Sequence, residues 1–207
     1  MTKRDPEATR TAILEAAEEE FLAKGMGETT TSAIARRAGV TKSLIHHHFG
    51  SKEALWEEVK QVRFSQYATR QLDILEVSDP TADLLRQSME LYFRSLQRNP
   101  QIVRLLAWMF LEDDESCGEM DRELCTRGVE KIAQAQERGE LRDDIDPHFV
   151  LFSFLALIQH WFQFRDHYRR DTGLEGPTAE LDEAYLQAAE TIFFRGVGRE
   201  PEEAKPA

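Results

Sequence analysis

The chain is poor in several things, and each scarcity removes a class of function. Its 207 residues include only two cysteines, Cys117 and Cys125. On one helix, the eight-residue step from one to the other would put them roughly 12 Å apart along the axis. That is too far for an internal disulfide, so a reducing, cytoplasmic setting is expected. No run of about 18 apolar residues occurs, so no transmembrane helix is expected. The opening stretch MTKRDPEATR has no apolar core, so no secretory signal is expected either. Positive charge is scarce: 26 Lys and Arg stand against 38 Asp and Glu, a net charge of −12. A body of that charge is not a general polyanion binder. GxSxG, HExxH and a glycine-rich phosphate loop are all missing. The GMG at 25–27 reads as a helix stop. Asp113, Asp114, Asp143, Asp144 and Asp146 fall at turns and caps. An enzyme is therefore not expected, nor a cofactor.

Strand-like alternation is missing too, and what is present is helix after helix. Asp5-Pro6 is a cap followed by proline at the first helical position. Ile13, Ala17 and Phe21 follow at four-residue spacing, and Gly25 ends the segment. Thr30 can cap a short helix containing Ile34 and Ala35 and closed by Gly39. Thr41 can cap a second short helix ending near Phe49. Ser51 opens a longer helix through Leu55, Val59 and Val62 toward Leu75. Asp79-Pro80, Asn99-Pro100 and Asp146-Pro147 mark further starts, Gly139 a further stop, and DTGLEGPT (171–178) a loop before a last helix from Thr178 to Arg195. The expectation is an all-α chain of about nine helices. It divides into an N-terminal three-helix domain (1–52), a helical body (53–198) and a disordered polar tail (199–207).

Charge is uneven along this chain. Residues 29–52 contain Arg36, Arg37, Lys42 and Lys52 and no acid. The same stretch carries His46, His47 and His48. A metal site would need ligands three or four residues apart on one helix face. Consecutive residues fan out by about 100° each, so these rings cannot converge on one ion, and no metal is expected. With Ile45 and Phe49 turned to the core, His47 and Ser43 point straight out and His46 and His48 flank them. Thr41, Lys42, Ser43, Leu44 and the three histidines then form an acid-free outer face, suited to phosphates and base edges. Two short helices joined through AGV fit a helix-turn-helix, whose second helix enters the major groove. A plain helical hairpin is the competing reading.

TTTSAIARRAGVTKSLIHHHFGSKEALW (Thr29–Trp56) resembles the DNA-binding signature of the TetR family of bacterial transcriptional regulators, and the likeness spans roughly residues 9–60. The shared features are the threonine pair, IA, AGV, a Ser/Thr cap, an aromatic cluster ending in Phe, and SKEAL. GELRDDIDP (139–147) is a further phrase in common. The resemblance implies DNA contacts from Thr29, Thr30, Arg36, Thr41, Lys42, Ser43, Leu44, His46, His47, His48 and Lys52. Thr30 matches a phosphate-contacting cap, and Thr41, Lys42 and Ser43 the start of the recognition helix. Lys52 matches a phosphate-binding lysine. His46 stands where the family most often has tyrosine. An imidazole is shorter than a phenol and titrates near neutrality.

The helix PHFVLFSFLALIQHWFQFRDHYRR is apolar nearly all round, as a helix buried on more than one side must be. With the last helix it would form the four-helix dimer interface that the resemblance implies, through Phe152, Leu155, Gln159, Phe162, Leu181, Tyr185, Ala188 and Ile192. A homodimer places two reading helices roughly 34 Å apart on a near-palindromic site. Met89, Tyr92, Phe93, Trp108, Met109, Phe110, His160, Trp161, Phe164 and His167 are candidates for a pocket that takes an apolar or aromatic effector. The expected function is a dimeric repressor released by a small molecule. The alternative is a DNA-binding protein of the same fold controlled by a protein partner.

Overall fold

A computed structural model of the chain describes residues 5–76, 82–114 and 119–198. Cys117, the Asp79-Pro80 cap and the 199–207 tail lie outside these residues. Among the described residues there are nine helices: α1 (Pro6–Glu28), α2 (Thr31–Ala38), α3 (Lys42–Phe49), α4 (Lys52–Glu76), α5 (Ala82–Arg98), α6 (Pro100–Leu111), α7 (Glu119–Glu137), α8 (Pro147–Thr172) and α9 (Thr178–Val197). There is no strand among them, only one antiparallel bridge between Leu141 and Gly198.

The punctuation residues act as their chemistry requires. The Asp5 carboxylate accepts the Glu7 N–H at 3.0 Å and Pro6 opens α1. The Thr30 hydroxyl accepts the Ala33 N–H at 3.2 Å, starting α2. Gly39 closes α2 in the left-handed region at φ 64°, where a side chain would strain the backbone. Asp146 accepts the His148 N–H at 2.8 Å ahead of Pro147. Gly25 does not end α1 outright. It breaks the helix with φ 79° and ψ 173°, after which one further turn reaches Glu28.

Packing sorts the described residues into two units, one made of those up to 66 and those within 100–120, the other of those within 67–99 and from 121 on. The division falls inside α4, not at the expected 52/53 boundary, and α6 belongs with the N-terminal helices. In the first unit Ile13, Ala17 and Phe21 of α1 meet Ile34 of α2, Ile45 and Phe49 of α3, Leu55 and Trp56 of α4, and Leu105 and Met109 of α6. The Phe21 and Trp56 rings pack edge to face at 5.1 Å. In the second unit Asp182 of α9 is buried yet fully bonded. It accepts the Trp161 indole N–H at 2.8 Å, the Arg165 guanidinium at 2.8 Å and the Gln97 amide at 3.2 Å. One carboxylate thus ties α5, α8 and α9, with the partners a buried charge requires.

Candidate nucleic-acid interface

α3 is only eight residues long, too short to be stable alone, so its orientation comes from packing. Ile45 and Phe49 are its buried positions. They anchor one side, and Thr41, Lys42, Ser43, His46 and His47 are exposed on the other, with Leu44 and His48 half-buried at the margins. This is the outward face expected from the 100° step. No side chain caps α3. The Thr41 hydroxyl instead pairs with the Ser43 hydroxyl at 2.8 Å, leaving first-turn N–H groups for solvent or phosphate. His46 Nδ1 donates to the Gly50 carbonyl at 2.9 Å, so Nε2 is the ring atom turned outward. The His47 and His48 rings meet edge to face at 5.3 Å. Among the described residues no group of three or more His, Cys, Asp or Glu side chains is arranged to hold a metal.

The four cations of the acid-free stretch have different fates. Arg36 and Lys42 are exposed. Arg37 is folded back onto α1, its guanidinium 2.7 Å from Glu20 and 2.5 Å from Glu19. Hydrogen bonds from Lys24 and Arg37 hold the Glu20 carboxyl below its ordinary range, against the opposing effect of burial. The Lys52 side chain is engaged within the chain. Its ammonium donates to the Met26 carbonyl at 2.8 Å and the Thr29 carbonyl at 3.0 Å, with that of Gly27 at 3.4 Å. Thr29 is also turned inward, 1% exposed, its hydroxyl bonded to the carbonyls of Gly25 and Glu20 at 2.6 and 3.1 Å. It is withdrawn from the candidate DNA contacts on that ground, whereas Thr30 is exposed.

The turn that Lys52 holds has a second clasp, which the sequence reading passed over. The Glu112 carboxylate, just beyond α6, accepts the Met26 and Gly27 N–H groups at 3.1 and 2.9 Å. Trp108 donates its indole N–H to the Leu22 carbonyl at 3.1 Å. Carbonyls on one side and amides on the other are thereby satisfied at a helix break that would otherwise leave them bare. Deeper in the same unit Lys60, 1% exposed, lies 2.7 Å from Asp114 and 2.8 Å from Glu57, and Asp114 also accepts the Trp56 indole N–H at 2.6 Å.

The candidate effector residues fall in both units. Trp108 and Met109 pack in the core of the first unit, while Phe110 is 83% exposed. His160, Phe164 and His167 lie on an exposed face of α8, because the four- and three-residue steps joining them run along the side away from Trp161. His160 Nε2 shares a hydrogen bond with the Tyr168 hydroxyl at 2.8 Å, and His167 lies 3.3 Å from Asp171. Trp161 is stacked on Tyr185 at 4.3 Å and bonded to Asp182, a core role. Met89, Tyr92 and Phe93 are buried in the second unit. Of the expected dimer residues, Phe152, Ala188 and Ile192 are exposed, and Leu155, Gln159, Phe162, Leu181 and Tyr185 are half-buried. Phe162 lies 4.8 Å from Phe93, and Tyr185 donates to the Leu157 carbonyl at 2.7 Å, so both are engaged within the chain.

A short helix anchored on one side and acid-free on the other, following a second helix across a glycine turn, defines a helix-turn-helix DNA-binding protein. Comparison with known proteins gives that class a family. Residues 13–59 match the model described as bacterial regulatory proteins, tetR family, and residues 89–190 that of the tetracyclin repressor-like C-terminal domain. The chain is 32% identical over 204 residues to the HTH-type transcriptional repressor SCO4008 of Streptomyces coelicolor, covering 94% of this chain and all of that one. It is 25% identical over 195 residues to the nucleoid occlusion factor SlmA of Marinobacter nauticus, covering 93% of this chain and all of the relative. Among solved structures, NalD of Pseudomonas aeruginosa, the secondary repressor of the MexAB-OprM multidrug efflux pump, superposes with a TM-score of 0.67 at 27% identity, covering 96% of this chain and all of that one. The chain belongs to the TetR family of DNA-binding transcriptional regulators. No described helix is long and apolar enough to cross a membrane.

Proposed function

We propose that the protein is a cytoplasmic, homodimeric repressor that reads a near-palindromic DNA site with α3 and leaves it when a small molecule binds the C-terminal unit. The observation that carries the reading is the exposed, acid-free face of α3 on a chain of net charge −12. Charge of that sign elsewhere repels a polyanion, so the acid-free face of α3 is where the duplex docks. Lys42, Arg36 and Thr30 contact phosphate, while Ser43, His47 and His48 reach base edges. The dimer forms through α8 and α9. Phe149, Phe152 and Ile192 there are 63%, 54% and 64% exposed, apolar area that a monomer leaves in water at a cost of about 25 cal/mol per Å². Selection of bound fragments from random duplexes at low salt tests the reading. Enrichment of an inverted repeat supports it, and recovery of no sequence above background refutes it.

A further inference from the structure

Among the apolar residues of α3, Ile45 and Phe49 are buried and Leu44 is not. At about 100° per residue, Leu44 is turned roughly 120° away from the direction those two share. The same count sets it on the outward arc between His47 and His48, one turn before His48. It is half-buried, yet it takes no part in the core. Ala38 and Val40, just ahead of α3, pack on the cluster that holds Ile34, Ile45 and Phe49, and Leu44 is not among the described residues that do so.

Its surroundings are polar and locally tied. The Leu44 N–H donates to the Thr41 carbonyl at 3.1 Å, and the Thr41 and Ser43 hydroxyls pair beside it at 2.8 Å. On its other side the His47 and His48 rings rest on each other. A single surface leucine needs no explanation on most helices. Here it is the third residue of the helix that follows the glycine turn, and the N-terminal residues of such a helix reach base edges. The major-groove edges present hydrogen-bond donors and acceptors, with one apolar feature, the 5-methyl group of thymine. Leucine against a polar edge would strip its water and return no hydrogen bond. Leucine against a methyl group buries apolar surface on both partners.

We propose that Leu44 is a specificity-determining residue that reads the 5-methyl group of a thymine in each half-site. The assignment rests on the reading of α3 as the helix that enters the groove.

The test uses the full chain and the duplex enriched from random sequence. Thymines at matching positions of the two half-sites are replaced by uracil, which keeps base pairing and every groove hydrogen-bonding group and removes the methyl. The expected result is one position at which the exchange weakens binding, about fourfold per methyl and about fifteenfold for the pair. Leu44→Ala binds the thymine duplex more weakly than the parent does and no longer distinguishes it from the uracil duplex. This variant melts with the parent, because Leu44 lies outside the core and alanine favours a helix. A leucine that merely shaped α3 would weaken both duplexes alike in the variant and leave the distinction standing, which overturns the proposal. Equal binding of the parent to every uracil duplex also overturns it, as does a selected half-site without thymine. Enrichment of an inverted repeat that is insensitive to uracil removes this proposal alone, whereas enrichment of no duplex removes the repressor reading and this proposal with it.

Discussion

Replacing Lys52 by methionine separates two tasks that one ammonium could perform. The side chain of Lys52 donates to the Met26 and Thr29 carbonyls at 2.8 and 3.0 Å. The 3.4 Å approach to the Gly27 carbonyl is too long to add much. A hydrogen bond from a charged donor contributes about 1.5–3 kcal/mol. Lys52 is half-buried, and water takes over part of that duty when the ammonium leaves, so the pair together is worth about 2 kcal/mol. For a chain of this size the loss lowers Tm by roughly 4–8 °C. Salt dependence of duplex binding supplies the second reading. A phosphate contact contributes about one unit to the slope of log affinity against log salt. Lys52→Met is expected to melt lower with its slope unchanged, and Lys42→Ala to lose about one unit of slope with stability within ~0.5 kcal/mol of the parent. Scanning calorimetry and a salt series on the selected duplex measure both. A Lys52→Met protein with an unshifted Tm and a slope reduced by about one would refute the assignment and restore Lys52 to the DNA contacts.

Gly25→Ala places a methyl group 2.7 Å from Trp108 Cε3 at φ 79°, and unfolding in urea should show a loss of about 2–4 kcal/mol; a loss below ~0.5 kcal/mol would contradict the clasp described for that turn. The Glu20 carboxyl is held below its ordinary range, chiefly by the hydrogen bond from Lys24 and then by that from Arg37. Its contribution is therefore complete above the ordinary glutamate range and is lost as pH falls through it and below. Glu20→Gln should make the acid limb of a stability–pH curve shallower, and identical acid limbs would count against the pairing.

The helices could be read from the sequence because their ends carry local chemistry. Asp5-Pro6, Thr30, Gly39 and Asp146-Pro147 act through neighbours within four residues, so no tertiary information is needed. The outward face of α3 followed from Ile45 and Phe49 in the same way. The fate of individual cations did not. Arg37 and Lys52 look like Arg36 and Lys42 in sequence, and only the fold brings Glu19 and Glu20 to one and three carbonyls to the other. In sequence Met109 groups with Met89 and Phe93 as a pocket candidate, yet it packs in the core of the first unit, because no local signal tells a helix which unit it joins.

The reading head is discontinuous in sequence. A peptide ending soon after Phe64 would contain every side chain proposed to touch DNA, yet it would lack Leu105, Trp108, Met109, Glu112 and Asp114, which seal its underside and fasten the Gly25 bend. A chimaera that borrows only the first sixty-odd residues therefore inherits an open hydrophobic seam. Transplanting the specificity of this protein requires carrying α6 along as a separate staple.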